Sequence, residues 1–421
     1  MTTQPTPKKM MQTIRLTEHE DSEPVPITLE DWDDISGYLN EATITPAPAS
    51  QPGYIINPKN HVGLIQTGDI TIQITPKLDI SRVLFLVFYG LDPDYWKEHT
   101  VELEDAPTLH EAIARPFADF AEQATRRGPL HGYLTIDDYL PGVRGRIRFA
   151  DQLRRHQRVT TPIEVTYDEF TPDIDENRLL LAASQRLLRL QALSEPTTKK
   201  LRRVIGRLTD VTSVRYDRRN VPEPQLNRLN RHYAQPLALA RLILGDETIE
   251  LSDETPTVTS RGLLFNMAKV FETFVHAALR KALKLSTHEF PKNVKRRRLN
   301  LDNAGKVKLE PDLSWWDQER CVMVGDVKYK RTVDTGRKAK DSDLYQLLAY
   351  TTATQVDTGF LVYAAGESEP VTHTVRFADT DLVVETLTLN NEPEAILAEI
   401  GALAERISDA RYRDGPALSA A

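Results

Sequence analysis

Two aspartates and a lysine interrupt stretches that otherwise read as apolar strands. Asp312 stands in EPDLSWW, Asp326 in CVMVGDVKYK, and Lys328 two positions further on. A charged side chain within a strand core is costly unless it is paired or bound to a metal. Two carboxylates on adjacent strands can share one hard cation, Mg²⁺ or Mn²⁺ in its place, which takes oxygen ligands and keeps waters for a substrate. Strand alternation turns Asp326 and Lys328 to one face. An ammonium there can orient or help deprotonate a water and offset charge developing on a phosphate. The simpler alternative is a cross-strand ion pair of Asp312 and Lys328 on a solvated face, which must also account for the residues around them. Glu272, flanked by apolar residues in KVFETFV, can add a third carboxylate. Gln346 and Tyr350 share one helical face just after the basic loop KYKRTVDTGRKAK, which holds Lys330 and Arg331. That face and loop suit a phosphate or sugar.

Helices and short strands must position these groups. The pattern predicts a helix over 263–283, strands over 293–301, 306–316 and 321–330 with a turn at 317–320, a helix over 344–354, strands over 357–365 and 372–377, and a closing helix over 393–410. Strand pairs separated by helices imply an α/β domain, a mixed sheet flanked by helices. Upstream the chain reads as α+β. Thr28 and Asp31 form a capping box for a helix within 27–42. YIINP, HVGLIQ and ITIQITPK form a small antiparallel sheet with a hairpin at 67–69, and 79–91 is a buried helix. A helix over 108–127 has Pro116 as its point of kinking. Strands over 130–170, with Gly142 and Gly145 at turns, precede helices over 175–191 and 198–211. The Pro-, Asn- and Arg-rich 214–236 and the polar 245–262 are the best boundary candidates. The expected division is a flexible 1–12, an α+β region over 13–250 and the α/β domain over 251–421.

Composition bounds the function. The 421 residues, 40% hydrophobic and 27% charged, describe an ordinary folded chain of two or three domains. No apolar run approaches the roughly 20 residues of a membrane span, and MTTQPTPKKMMQ makes no signal peptide. A single cysteine, Cys321, excludes a disulfide framework and suits the reducing cytoplasm. The histidines lack H-x-x-x-H spacing, which argues against a zinc hydrolase. Trp315, Trp316 and Cys321 read as core. The net charge of −8 hides an uneven distribution: residues 17–34 are acidic without a lysine or arginine, whereas 291–340 hold 14 Lys/Arg against 7 Asp/Glu. The basic segment lies beside the paired carboxylates, as a nucleic-acid enzyme requires.

Asp312 after Pro311, followed by Asp326-Val327-Lys328, resembles the PD-(D/E)xK nuclease pattern, and Gln346 with Tyr350 resembles its QxxxY helix. FNMAKVFETFV, GDVKYK and YQLLAY are similar to the McrC family, the endonuclease subunits of modification-dependent McrBC restriction systems, as are VGLIQTGDITIQITPKL, VRGRIRF and DENRLLLAA further upstream. The resemblance implies a Mg²⁺-dependent DNA endonuclease with Asp312, Asp326, Lys328 and Glu272 as catalytic residues, and Asp312, Asp326 and Glu272 around the metal. It assigns DNA or phosphate contacts to Gln346, Tyr350, Lys330 and Arg331. It further implies docking of the N-terminal region on an McrB-like AAA+ GTPase hexamer acting on modified double-stranded DNA, with Arg144, Arg146 and Arg148 as candidate docking residues. The chain has no G-x-x-x-x-G-K-[ST] loop, so it binds no nucleotide of its own and hydrolysis falls to the partner. Two rivals stand beside this reading: a stand-alone Mg²⁺-dependent nuclease, and a non-catalytic activator of an AAA+ complex.

Overall fold

A computed structural model of the chain describes residues 12–36, 39, 41–67, 70–91, 93, 108–156, 161–190, 193–216, 220–245, 261–292, 299–329, 341–364 and 369–413. Their contacts divide the chain into two compact units. The first joins residues 1–106 with 256–260 and 264–421, and the second comprises 107–255 with 261–263. The sequence suggested a single division near residue 250. The structure instead groups the first hundred residues with the C-terminal part, because strands distant in sequence share one sheet there.

That sheet takes β1 (Gln12–Thr17), β4 (His61–Thr67) and β5 (Ile70–Thr75), in the order β1-β5-β4-β9, with β9 at Arg261–Asn266. β4 and β5 are the expected antiparallel pair, Thr67 facing Ile70. β1, outside the sequence expectation, lies parallel to β5. The short α1 (Leu29–Ser36) starts at the foreseen capping box: Asp31 Oδ2 accepts from Thr28 N–H at 2.8 Å, and Thr28 Oγ1 accepts from Asp31 N–H at 3.1 Å. β2 (Thr43–Pro46) and β3 (Tyr54–Asn57) form a separate ribbon. In α2 (Ile80–Leu91) residues Val83 to Tyr89 are all buried. No described helix is long and apolar enough to cross a membrane.

The second unit packs α3 (Leu109–Ala124), α5 (Asp175–Leu188), α6 (Glu195–Arg207) and α7 (Ala234–Leu244) beside a three-stranded sheet. That sheet runs in the order β6-β8-β7, from Gly132–Leu140, Ile163–Thr171 and Arg146–Ile147. The short helix α4 (Phe149–His156) occupies part of the stretch read as β. α3 runs through Pro116 as one helix. Gly145 confirms its reading as a close-approach turn: its φ is +72°, and a Cβ there would lie 2.3 Å from the Thr166 carbonyl oxygen.

Buried Glu111 on α3 accepts from Ser194 N–H (2.9 Å), Ser194 Oγ (2.5 Å) and Thr197 Oγ1 (2.6 Å), which fastens the start of α6. Burial opposes the charge, but these donors outweigh it and hold the carboxyl below its usual range. A depressed folded-state pKa gives stability that is present at neutral pH and fades as pH falls through the carboxylate range. Glu111→Ala is therefore expected to cost about 2–3 kcal/mol at pH 7, with the deficit shrinking toward pH 3 in urea titrations.

The first unit resumes with α8 (Met267–Ala282). The sequence suggested a helix from 263, but Leu264–Asn266 extend the sheet instead. Asn266 then caps the helix, its Oδ1 accepting from Ala268 N–H and Lys269 N–H at 3.0 and 3.3 Å. Phe274 of α8 meets Phe85 and Tyr89 of α2 edge-on, at centroid distances of 5.2 and 5.6 Å. Next come β10 (Leu313–Asp317), β11 (Arg320–Lys328), α9 (Asp341–Thr354), β12 (Thr358–Ala364), β13 (Val371–Thr374), β14 (Asp381–Leu387) and α10 (Pro393–Arg413). Their sheet runs β10-β11-β12-β14-β13, antiparallel at both edges and parallel between. It is the anticipated mixed sheet flanked by helices, with β14 added. Of the strand suggested for 293–301, residues 293–298 lie outside the described residues, and Asn300 makes a single bridge to Lys308. Trp315, Trp316 and Cys321 are buried, as expected of core residues.

Candidate active site

The β10–β11 register brings the two aspartates together. Leu313 faces Gly325, so one step further Asp312 comes opposite Asp326, and Val327 N–H donates to Asp312 Oδ2 at 3.0 Å. Asp326 is only 1% exposed, inside a strand whose neighbours are all apolar or glycine from Met323 to Val327. Lys328 Nζ lies 2.6 Å from Asp326 Oδ2. That contact is a close, charge-assisted ion pair inside the site. The solvated Asp312–Lys328 pair is thus not what forms: two acids face each other below the surface, and the lysine closes on one of them.

Electrostatics follow from this crowding. Burial, then the charges of Asp326 and Glu272, push the Asp312 carboxyl up from its usual 3.8 to about 7, against the Val327 hydrogen bond and the Lys328 charge. Asp326 is also raised, chiefly by burial, while Lys328 and a side-chain hydrogen bond with Asp312 pull the other way. Burial disfavours the Lys328 ammonium, but Asp326, Asp312 and Asp343 outweigh it and hold its pKa above the ordinary lysine value. Two buried, crowded carboxyls that favour a proton, with a single ammonium between them, form a set that a divalent cation would relieve. The donors are hard oxygens, which fits Mg²⁺ or Mn²⁺. Among the described residues, no three acidic, histidine or cysteine side chains close around one point. Two carboxylates suffice for Mg²⁺, which commonly keeps several waters and substrate oxygens.

Glu272 on α8 reaches the pair through its charge. Its carboxylate is held by Lys269 Nζ at 2.7 and 2.9 Å, one helical turn earlier. Gln346 and Tyr350 share a face of α9 as expected, Gln346 Nε2 donating to Tyr350 Oη at 2.7 Å. The Tyr350 ring is buried with Trp316, Cys321, Val324 and Val356, and its hydroxyl donates to the Glu310 carbonyl at 3.3 Å. Burial, then the Asp326 charge, push this phenol up to about 12. Tyr350 thus braces the chain two residues before Asp312, and half-buried Gln346 is the more accessible of the two. Lys330 and Arg331 lie outside the described residues.

Two neighbours escaped sequence reading. Lys269 is one of the polar residues of the helix expected over 263–283, and Asp343 falls just outside the helix expected over 344–354, which in fact starts at Asp341. Their spacing was the available signal: Lys269 precedes Glu272 by three, and Asp343 precedes Gln346 by three. Gly325 matters as well. A Cβ there would lie 2.7 Å from the Phe360 carbonyl oxygen on β12, so Gly325→Ala must push β11 from β12 beside Asp326. A loss of about 1–3 kcal/mol in urea titrations is expected.

The three arginines belong to the second unit and differ in availability. Arg148 is committed to Asp137, Asp151 and Glu164 at 3.3, 2.5 and 3.6 Å. Exposed Arg144 stacks 3.9 Å over the Tyr167 ring, and Arg146 projects into solvent from β7. The same sheet displays Tyr133 and Phe170, 77% and 61% exposed, as cross-strand partners with centroids 5.2 Å apart.

Comparison with known proteins adds to this geometry. The family model described as McrBC 5-methylcytosine restriction system component matches residues 56–364. Among solved structures, the chain is similar to one from an assembly of Thermococcus gammatolerans McrB AAA+ hexamers with bound McrC. The TM-score is 0.51 at 16% identity, over 94% of this chain and all of the other. A second Thermococcus gammatolerans structure, the McrBC complex, aligns at 19% identity and TM-score 0.37, over 65% of this chain and 88% of the other. No curated protein matches.

Proposed function

This chain belongs to the family of McrBC 5-methylcytosine restriction system components, and from that premise we propose that it is the Mg²⁺-dependent DNA endonuclease subunit of such a system, with a PD-(D/E)xK nuclease fold in its first unit. The observation that carries the reading is the meeting of Asp312 and Asp326 across β10 and β11 with Lys328 on the second acid. A structural ion pair needs one acid and one base. Two buried acids with one lysine leave a negative charge that a cation answers.

Asp312 and Asp326 hold the cation, with Glu272 assisting from α8 once it parts from Lys269. What Mg²⁺ supplies when bound is Lewis acidity toward a water and the scissile phosphate. Lys328 orients the attacking water and offsets the charge that develops on the phosphate as the P–O bond to water forms and the P–O bond to the leaving sugar oxygen breaks, the water's proton being lost to solvent and the leaving oxygen taking one up. Gln346, with Lys330 and Arg331 of the basic sequence after Lys328, contacts the DNA backbone. Tyr350 keeps the segment before Asp312 in place.

Partner docking is assigned to the second unit. The similar assembly is described as McrB AAA+ hexamers with bound McrC, which supports a partner of that class here, with GTP hydrolysis on the partner's side. Exposed Arg144 and Arg146, together with Tyr133 and Phe170 elsewhere on the same sheet, supply the mixed aromatic and basic character common at interfaces. Arg148 serves the sheet instead. The test is purified chain with Mg²⁺ and 5-methylcytosine-containing DNA, with and without the partner AAA+ protein and GTP. Cleavage requiring all components is expected. Cleavage without the partner would point to a stand-alone nuclease, and GTPase stimulation without cleavage to an activator.

A further inference from the structure

α9 brings a third acid to the face that carries Gln346 and Tyr350. Acids in the first turn of a helix favour the positive end of its dipole and usually sit in solvent. Asp341 in the same turn is exposed, but Asp343 is only 5% exposed. Its Oδ2 accepts a 2.5 Å hydrogen bond from Tyr363 Oη, a phenol buried on β12. Tyr363 is the register partner of Lys328 on the neighbouring parallel strand, and such partners project to one side of a sheet. Leu361, the register partner of Asp326, packs together with Tyr363 and Leu347 of α9. Asp326, Lys328, Tyr363 and Asp343 therefore occupy one space between the sheet and α9. The Asp343 charge acts on both Asp326 and Lys328 there.

Lys328 faces a conflict in this arrangement. Its ammonium lies 2.6 Å from Oδ2 of Asp326, the carboxylate the proposed function gives to a divalent cation. An ammonium and a divalent cation repel strongly at one partly desolvated carboxylate. A shift toward a second carboxylate would let Lys328 yield that position without losing its charge or its place in the site. We propose that Asp343, oriented by Tyr363, is a positioning residue that receives the Lys328 ammonium when Asp326 takes up a divalent cation. The inference rests on the metal reading above and adds to it: the lysine has two stations, one on each acid.

A double-mutant cycle tests this without relying on cleavage. Mg²⁺ alone is titrated calorimetrically into the full-length chain carrying Asp343→Asn, Lys328→Met, or both, with circular dichroism confirming the fold. If Asp343 accommodates the ammonium, Asp343→Asn weakens Mg²⁺ binding roughly tenfold, a coupling typical of contacting residues. The loss should largely vanish in the Lys328→Met background, where no ammonium needs moving. Tyr363→Phe, which keeps the acid but frees it, should show the same dependence at smaller size, and it carries the cycle alone if Asp343→Asn fails to fold. An equal loss in both backgrounds would make Asp343 a plain contributor of negative charge and overturn the proposal; unchanged binding in Asp343→Asn would do the same. Absence of Mg²⁺ binding by the unaltered chain overturns the metal reading itself, a result distinct from either.

Discussion

Asp326→Ala is expected to reduce DNA cleavage by about a thousandfold or more, equivalent to roughly 4 kcal/mol of lost transition-state stabilisation. Partner binding and the fold should remain. The carboxylate sits on a central strand, 1% exposed, and its close partner is the Lys328 ammonium of the same site, so its removal takes away a cation ligand together with that ion pair. It also relieves Asp312 of a like charge, so metal-free stability should not fall by the amount usual for truncating a buried ion pair. Lys328→Ala should lose cleavage comparably while retaining Mg²⁺ binding, which separates its role from that of the acid. The measurement is cleavage by the reconstituted complex, alongside partner pull-down and circular dichroism. Cleavage by Asp326→Ala at the unaltered rate would sink the assignment of the whole site.

The second large effect concerns stability, and its sign follows from the crowding of the acids. The folded-state pKa of Asp312 is raised from 3.8 to about 7. Its contribution to metal-free stability is therefore fully present below about pH 4 and is lost as pH rises through 7. Asp326 shifts in the same direction. Mg²⁺ replaces the proton, so the gain in melting temperature on adding it should be small at pH 5 and several degrees at pH 8. Asp312→Asn keeps an acceptor for Val327 N–H while removing the charge. In EDTA at pH 8 it should be more stable than the unaltered chain, by on the order of 1–3 kcal/mol, and Mg²⁺ should add almost nothing. A Mg²⁺ gain equal at both pH values, or undiminished in Asp312→Asn, would contradict the carboxylate pair as the cation site.

The chemistry was legible because it violates local expectation. Asp326 within VMVGDVKY is a charge where hydrophobic alternation forbids one, and a strand read from that alternation gives Lys328 the same face without further information. Relations between distant segments were less visible. β1 pairs parallel to β5 across more than fifty residues, and no turn signal announces such a partner. Leu263 to Phe265 suit a buried strand as well as a helix. Only the Asn266 cap, with its two backbone donors, settles where α8 begins. Asp343 is less visible for a related reason: the apolar pattern starts the helix at 344, one residue after it, whereas the helix starts at Asp341, and its burial against Tyr363 comes from the sheet rather than the helix.

The split composition of the first unit bears on how the chain is made. Residues 1–106 belong with a segment that resumes at Leu264, so more than 150 further residues must be synthesised before the missing half emerges. At about 5–20 residues per second, the nascent β1, β4 and β5 wait roughly 10–30 s on the ribosome with the β9 side of β4 bare. The second unit, nearly contiguous, can close meanwhile. Aggregation during expression should therefore concentrate in fragments that stop short of α8, and supplying residues 264–421 as a separate polypeptide should rescue them.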